Sequence, residues 1–288
     1  MNAETIIRGL TVCSLSGLLL GVGLRLTVKE VVASLRKCRL ALIVTVNFLV
    51  VPALVVAATR LFGIGSDLSI GMILLSAAPF APVVPVFTRM ARANLALAAG
   101  LSTLFPLLSV FITPLVVQIA VLGMPEASAI RFNTLEIFLT LFATIILPLG
   151  IGMTVKHFAP ELSRLGLRPV EVFAEFTGAL SLGYVSFTEW PLILTTGWVP
   201  LLVMALLCEV SLLLGYAIGG PDRDARRVVA FGTCNRNIAL ALLVALESFG
   251  GTPVVAAVVA NGLLLILFGL LHVAYWRFGP NQSVGSPG

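Results

Sequence analysis

The residues with the most chemistry in this 288-residue sequence lie in Phe231–Ala245, FGTCNRNIALALLVA. An arginine stands between two asparagines, Asn235-Arg236-Asn237, and a long apolar run follows it. A guanidinium is a permanent cation with five donors and no acceptor. A helix entered at the charged segment Asp222–Arg227 carries Arg236 about 15 Å along its axis, at about 1.5 Å per residue. That depth is roughly the middle of a ~30 Å hydrocarbon core. A charge there has to face a polar cavity or a partner. Gly232, Thr233 and the two asparagines also interrupt an otherwise apolar helix, and transporters place substrate sites at such interruptions near the midplane.

A second interruption lies at Ser76–Phe87, SAAPFAPVVPVF, with Pro79, Pro82 and Pro85. Each proline removes a backbone donor and disfavours helix in the residue before it. Broken backbone at membrane depth is tolerated only where it is buried in protein or lines water. Glu209, in the middle of the apolar run CEVSLLLG, is the most deeply placed acid, and it is expected either to pair with Arg236 or to titrate as a proton site. His157 and His272 are expected near the inner surface, solvated.

These elements need a membrane around them. The chain is 59% hydrophobic and 11% charged, with mean hydropathy +1.09. A soluble domain carries about twice that charged fraction. There is no basic soluble domain, so nucleic acid is not an expected partner. Cys13, Cys38, Cys208 and Cys234 show no CxxC spacing, so neither a zinc site nor a disulfide framework is expected. No HExxH, GxSxG or Walker pattern occurs, which argues against an enzyme. The apolar run Gly9–Leu24 has no A-x-A-like cleavage site after it and reads as a retained span.

The sequence predicts an all-α polytopic membrane protein with nine transmembrane helices. These fall at Ile7–Leu26, Arg39–Phe62, Leu68–Met90, Asn94–Leu122, Phe132–Val155, Val170–Thr188, Gly197–Gly219, Arg226–Glu247 and Pro253–Trp276. With the N-terminus outside, the inner ends and loops collect Arg25, Lys29, Arg36, Lys37, Arg39, Arg89, Arg92, Lys156, Arg164, Arg168, Arg223, Arg226, Arg227 and Arg277. The outer side holds only Arg8, Arg60 and Arg131, which is the charge bias of an N-out, C-in protein. The expected location is therefore an inner (plasma) membrane. The interrupted spans are the third and the eighth, which cross in opposite directions. Asn94–Ala98 after the first break and Asn237–Ala241 in the second share the pattern Asn-x-Ala-Leu-Ala. This predicts one transporter domain over 1–288, built as an inverted-topology repeat of about 7–122 and 170–277, with 132–155 unpaired and two discontinuous helices crossing.

At these residues the chain resembles the bile acid:sodium symporter family, over almost its whole length. The family's first motif runs Gln-Phe-x-x-x-Pro, Cys-Pro-Gly-Gly-x-x-Ser-Asn and Thr-x-x-Ala-x-Gly-Asn-x-Ala-Leu-Ser. This chain offers Asn47-Phe48 and Pro52, then Ala78-Pro79-Phe80-Ala81 and Val84-Pro85, then Thr88, Ala91, Ala93-Asn94 and Ala96-Leu97-Ala98. The second motif, Glu-x-Gly-x-Gln-Asn-x-x-Leu-Ala, meets Gly232-Thr233-Cys234-Asn235-Arg236-Asn237 and Leu240-Ala241. The resemblance implies a panel and a core, with broken helices crossing in the core. It also implies sodium ligands at positions that here read Val84, Pro85, Ala98, Ser102, Gly232, Asn47 and Arg236. Only Ser102 and Asn47 retain an oxygen ligand, so these sodium positions are degenerate and no metal site is assigned. No cofactor is expected, and coupling to sodium or to protons stays open.

The expected function is secondary transport of a small organic anion, of the bile acid or organic acid class, by alternating access and without a need for sodium. The candidate substrate or ion site is Asn47, Ser102, Glu209, Thr233, Asn235, Arg236 and Asn237, with helix breaks at Pro79, Pro82, Pro85 and Gly232. The expected partners are an anionic substrate and the lipid membrane; the oligomeric state stays open. Two alternatives stand beside this reading. One is an arsenite-type metalloid exporter using Cys234. The other is a non-transporting membrane receptor or scaffold.

Overall fold

The computed structural model describes residues 2–36, 38–122 and 133–278. Lys37 and Arg131, both counted in the charge bias, and Phe132, the predicted start of the fifth span, lie outside the described residues. Among the described residues every regular element is helical. Seven rods are long and apolar enough to cross a membrane: Ala3–Arg25, Leu40–Leu61, Leu95–Ala120, Thr134–Phe158, Trp198–Ile218, Arg223–Phe249 and Val254–Phe278. The chain is thus a polytopic helical membrane protein. Of the nine predicted spans, two are not among the seven. The third is divided into two pieces, each too short to cross alone. The sixth is helical over Pro160–Thr188, ten residues further back than predicted. Its first sixteen residues carry Glu161, Arg164, Arg168, Glu171 and Glu175. The helix continues through Pro169, whose ring takes one donor from it.

Two groups of helices form the molecule. The first holds α1 (Ala3–Arg25), α8 (Thr134–Leu141), α9 (Leu147–Phe158) and α10 (Pro160–Thr188). Small residues let their backbones meet. A Cβ on Gly23 would lie 2.4 Å from the Leu149 carbonyl, and one on Gly152 would lie 2.5 Å from that of Leu20. Hydroxyls bridge α1 to α10: Ser14 donates to the Ala174 carbonyl at 2.9 Å, Ser163 donates to that of Leu24 at 2.6 Å, and Thr11 and Ser181 lie 2.8 Å apart.

The second group holds α3 (Leu40–Thr45), α4 (Val51–Leu61), α5 (Ser66–Ser76), α6 (Val84–Met90), α7 (Leu95–Leu122), α12 (Trp198–Ile218), α13 (Arg223–Cys234), α14 (Ile238–Phe249) and α15 (Val254–Phe278). Between the groups' long rods lie two short helices, α2 (Val28–Leu35) and α11 (Trp190–Leu194). The α2 helix starts on a capping box, in which the Thr27 hydroxyl and the Glu30 carboxylate exchange bonds with each other's backbone. The backbone and side-chain bonds from Thr27 hold the Glu30 carboxyl below its ordinary range. Leu49, Ile119, Phe187 and Trp198 point outward, as lipid-facing side chains do.

One local feature of the second group decides the site. The rod Leu40–Leu61 contains a π-turn at Val46–Val50, immediately before Val51-Pro52. Pro52 has no N–H to donate, and the Val51 amide bonds the Val46 carbonyl, five residues back. The Asn47 carbonyl is left without an intrahelical donor. The same arrangement, a π-turn at Phe142–Ile146 before Leu147-Pro148, occurs in the first group.

Candidate functional site

Both predicted interruptions are present, and they meet. Helix α5 ends at Ser76 and α6 begins at Val84. Helix α13 ends at Cys234 and α14 begins at Ile238. The two gaps exchange backbone bonds like short paired strands. Phe80 N–H donates to the Gly232 carbonyl at 3.2 Å, Ala81 N–H to that of Asn235 at 3.2 Å, and Asn237 N–H to that of Ala78 at 2.7 Å. Side chains satisfy two carbonyls of the first gap: Thr113 donates to Ala77 O at 2.6 Å and Ser102 to Ala81 O at 3.4 Å.

Ser76 is the exception. In a continuous helix its carbonyl would take the Phe80 amide, which has turned to Gly232, and Pro79 has no amide to offer. Arg236 supplies the missing donor. Its Nη1 donates to Ser76 O at 3.2 Å and to Asn47 O at 3.3 Å. One guanidinium nitrogen therefore satisfies two carbonyls that two prolines orphaned. Asn47 turns its amide to Thr233 Oγ1 at 3.1 Å and to its own helix at Ile43 O, 2.9 Å. Asn237 caps α14 by accepting from Leu240 N–H at 3.1 Å, and Asn235 donates to Phe231 O at 3.1 Å. All four of these polar side chains, with Thr233, are buried.

Phe80 and Gly232 fit one another. A Cβ on Gly232 would lie 1.8 Å from a Phe80 ring atom, so no side chain fits at 232 while that ring is in place. Phe80 itself has φ +55°, a left-handed conformation that costs a non-glycine residue about 1–2 kcal/mol. Its ring stacks on Phe105 at 4.2 Å, and Phe105 stacks on Phe48 at 5.6 Å, which holds the strained turn down.

The crossing forms one wall of a cavity of about 410 Å³ between the two helix groups. Asn235, Arg236, Asn237, Pro82 and Pro85 line that wall. The opposite wall comes from α1 and α10, with Thr11, Ser14, Leu18 and Leu182. Arg25, Arg89, Arg168, Glu171 and Glu175 also line it, and Arg25 is ion-paired with Glu171. Most of the lining is apolar. Two donors on the crossing wall have no partner among the described residues: Arg236 Nη2 and Asn237 Nδ2. The volume suits a small organic molecule, and the free donors suit an acceptor group on it.

Sequence reasoning placed six of its seven site residues at or against this crossing: Asn47, Ser102, Thr233, Asn235, Arg236 and Asn237. Glu209 is the correction. Its carboxylate lies 3.4 Å from His272 Nε2 and is about a third exposed, and it does not line the cavity. Helix α12 turns this residue toward α15 and away from Arg236. His272, expected to be solvated, is instead packed between Glu209 and Trp276. The panel-side residues Thr11, Ser14 and Ser181 were missed. Their only signal was a hydroxyl in an apolar span, which also serves helix packing.

Two interrupted helices that cross beside a cavity between two helix groups, in a polytopic helical membrane protein, fit a membrane transporter. The chain belongs to the Sodium Bile acid symporter family, whose model matches residues 12–193. The matched stretch includes the first gap and ends before the second. The chain is similar to two rice (Oryza sativa subsp. japonica) proteins named probable sodium/metabolite cotransporters of chloroplasts. It is 21% identical to BASS1 over 278 residues, which is 95% of this chain and 67% of the relative. It is also 21% identical to BASS3 over 291 residues, 94% and 67% of the two chains. A BASS1 protein of Arabidopsis thaliana is 22% identical over 271 residues, 93% of this chain and 66% of the relative. The chain thus spans about two thirds of the length of these relatives, and a secondary transporter is what the family and the relatives together support.

Proposed function

We propose that this chain carries a small organic anion across a plasma membrane by alternating access, and that Arg236 takes the place of a bound cation, so that sodium is not required. In this reading the chain has nine spans, with the N-terminus outside. The inverted halves are about 7–122 and 170–277, with 132–155 between them. The observation that carries the reading is the cavity wall at the crossing. A buried permanent cation and an amide side chain, Arg236 and Asn237, are among the residues that line a mostly apolar space large enough for an organic molecule, and each keeps a buried nitrogen without a partner among the described residues. An anion with an apolar body matches that wall, while a metal ion finds a guanidinium in its way.

The test is flux into proteoliposomes of a panel of radiolabelled organic acids, with sodium replaced by choline and with a pH gradient imposed. Saturable uptake of at least one acid in choline supports the reading. Uptake that appears only with sodium overturns its sodium-independent part. No uptake of any acid favours a receptor or scaffold.

One observation favours a second reading, the export of a trivalent metalloid. Cys234, at the end of α13, has a second thiol beside it, with Cys208 Sγ at 3.0 Å. Neither cysteine lines the large cavity, which ranks this reading below the first. Arsenite flux that is lost in Cys208→Ser would reverse the ranking.

A further inference from the structure

Two of the four cysteines meet. Cys208 Sγ of α12 and Cys234 Sγ of α13 lie 3.0 Å apart, and both residues are buried. Helices α12 and α13 form a hairpin whose backbones touch. A Cβ on Gly215 would lie 2.7 Å from the Val229 carbonyl, and one on Gly219 would lie 2.5 Å from the Arg226 Cα. Cys234 is the last residue of α13, and Asn235 after it is extended. The sulfur at 234 is thus carried by a helix end, at the second gap, and the sulfur at 208 by a helix interior. The other two cysteines are placed differently. Cys13 is exposed, and Cys38 donates to the Leu35 carbonyl at 3.0 Å; neither touches another thiol among the described residues.

While reduced, the two thiols are joined by an S–H···S hydrogen bond, with either sulfur as donor. A disulfide needs about 2.04 Å between the sulfurs, a closure of about 1 Å. A second cavity, of about 30 Å³, lies against the pair. Both cysteines line it, together with Ser76, Ser211, Asn261 and Arg236. One water needs a cavity of about 10–15 Å³. There is room here for hydrogen peroxide, a small neutral two-electron oxidant, and none for a bulky alkyl hydroperoxide or for glutathione disulfide. The attacking species is a thiolate, which apolar surroundings disfavour and a neighbouring cation favours. Arg236 is that cation, since it lines the same small cavity and follows Cys234 by two positions.

We infer that Cys208 and Cys234 are a peroxide-responsive thiol pair, whose disulfide ties α12 to the broken end of α13 beside Arg236. One cysteine, as its thiolate, attacks an oxygen of hydrogen peroxide. The O–O bond breaks, and the hydroxide that leaves becomes water with the proton the thiol gave up. The sulfur is then a sulfenic acid. The second sulfur attacks it, the S–S bond forms and the S–O bond breaks. The departing hydroxide takes the second thiol's proton and leaves as water. Two thiols are oxidised, one peroxide is reduced, and two waters result. A neighbouring thiol at 3.0 Å intercepts the sulfenic acid before it is oxidised further. The new bond fixes the last turn of α13, which carries the second gap, and an added dithiol reverses it. The inference goes beyond the anion reading and does not depend on it.

The test reads the bond itself. The full chain, reconstituted in liposomes and fully reduced, is treated with hydrogen peroxide, quenched, unfolded and alkylated. Peptide mass spectrometry then locates each cysteine. The expected product is one link within the chain, between Cys208 and Cys234, with Cys13 and Cys38 outside any link. Dithiothreitol restores both thiols. tert-Butyl hydroperoxide at the same concentration forms the link at least tenfold more slowly, because the cavity does not admit it. The oxidised protein melts several degrees above the reduced one, as a cross-linked chain does. Cys208→Ser shows neither the link nor the shift. Peroxide that leaves both thiols free, or that carries Cys234 to a sulfinic acid with no link, overturns the inference and leaves the contact a hydrogen bond only. A link to Cys13 or Cys38, or between chains, overturns it as well. Equal rates for the two peroxides overturn the small cavity as the oxidant's route. A melting point unchanged by the link overturns the tie at the crossing.

Discussion

A sodium ion and the Arg236 guanidinium compete for the same two carbonyls, and that competition can be measured without knowing the substrate. Arg236 Nη1 lies 3.2 Å from Ser76 O and 3.3 Å from Asn47 O. An ion held by those carbonyls would sit within about 4 Å of the guanidinium charge, where the repulsion at an effective dielectric near 20 is about 4 kcal/mol. At 1.4 kcal/mol per decade that is roughly a thousandfold in affinity. Arg236→Gln removes the repulsion and leaves both carbonyls in place, together with Asn47 Oδ1, which is buried and has no partner among the described residues. The assay is equilibrium binding of radioactive sodium to purified protein, with choline holding the ionic strength. The wild-type chain is expected to show no saturable binding up to about 100 mM, whereas the glutamine variant binds in the low-millimolar range. A thermal melt of each protein separates loss of the site from loss of the fold. Saturable millimolar binding by the wild type, unchanged in Arg236→Gln, would show that the guanidinium does not stand in for the ion and would refute the reasoning.

Three further outcomes are expected. Gly232→Ala drives a methyl group into the Phe80 ring and should lower stability by about 1–3 kcal/mol or more; Phe80→Ala in the same chain should recover much of that loss in a denaturation series. Glu209→Gln should leave sodium binding and substrate uptake unchanged, because its partner is His272 and the pair, being partly exposed, contributes about 1 kcal/mol or less; a large loss of uptake would return Glu209 to the site. Reporter fusions after Gly288 should be active in the cytoplasmic compartment only, and a fusion active only outside would sink the proposed orientation.

Much of this site was legible in the sequence because prolines and glycines act locally. Three prolines between Pro79 and Pro85 remove three donors from one span, whatever surrounds it, so the first gap could be placed from the sequence. The second gap was signalled by a charge that hydrocarbon does not tolerate. What could not be read was direction around a helix axis. Glu209 and Arg236 were placed at similar depth, and depth alone made them partners. The rotation of α12 gives Glu209 to His272 instead. The role of Pro52 was hidden for a related reason. A proline in an apolar span announces a kink, yet which carbonyl it orphans depends on whether the turn before it closes four or five residues back. The fit of Phe80 over Gly232 depends on a contact between distant segments, and neither residue type alone signals it.

The placement of Arg236 follows from these backbone defects. Helices α5 and α13 both end at the crossing, and a helix end presents carbonyls and roughly half a negative charge. Helices α6 and α14 begin at the same gaps with the opposite partial charge, so what the two ends and the Asn47 carbonyl leave is a set of buried acceptors that needs a donor or a cation before any substrate arrives. A free ion would meet that need reversibly, and the crossing would then be as stable as the ion's occupancy. A tethered guanidinium meets it permanently. It also divides its donors, because Nη1 is used by the two carbonyls while Nη2, buried beside them, has no partner among the described residues. A lysine could not be split in this way, since its ammonium is a single point with no planar fork. The same side chain can therefore hold the broken helices together and, as a lining residue, still set a positive charge beside the cavity.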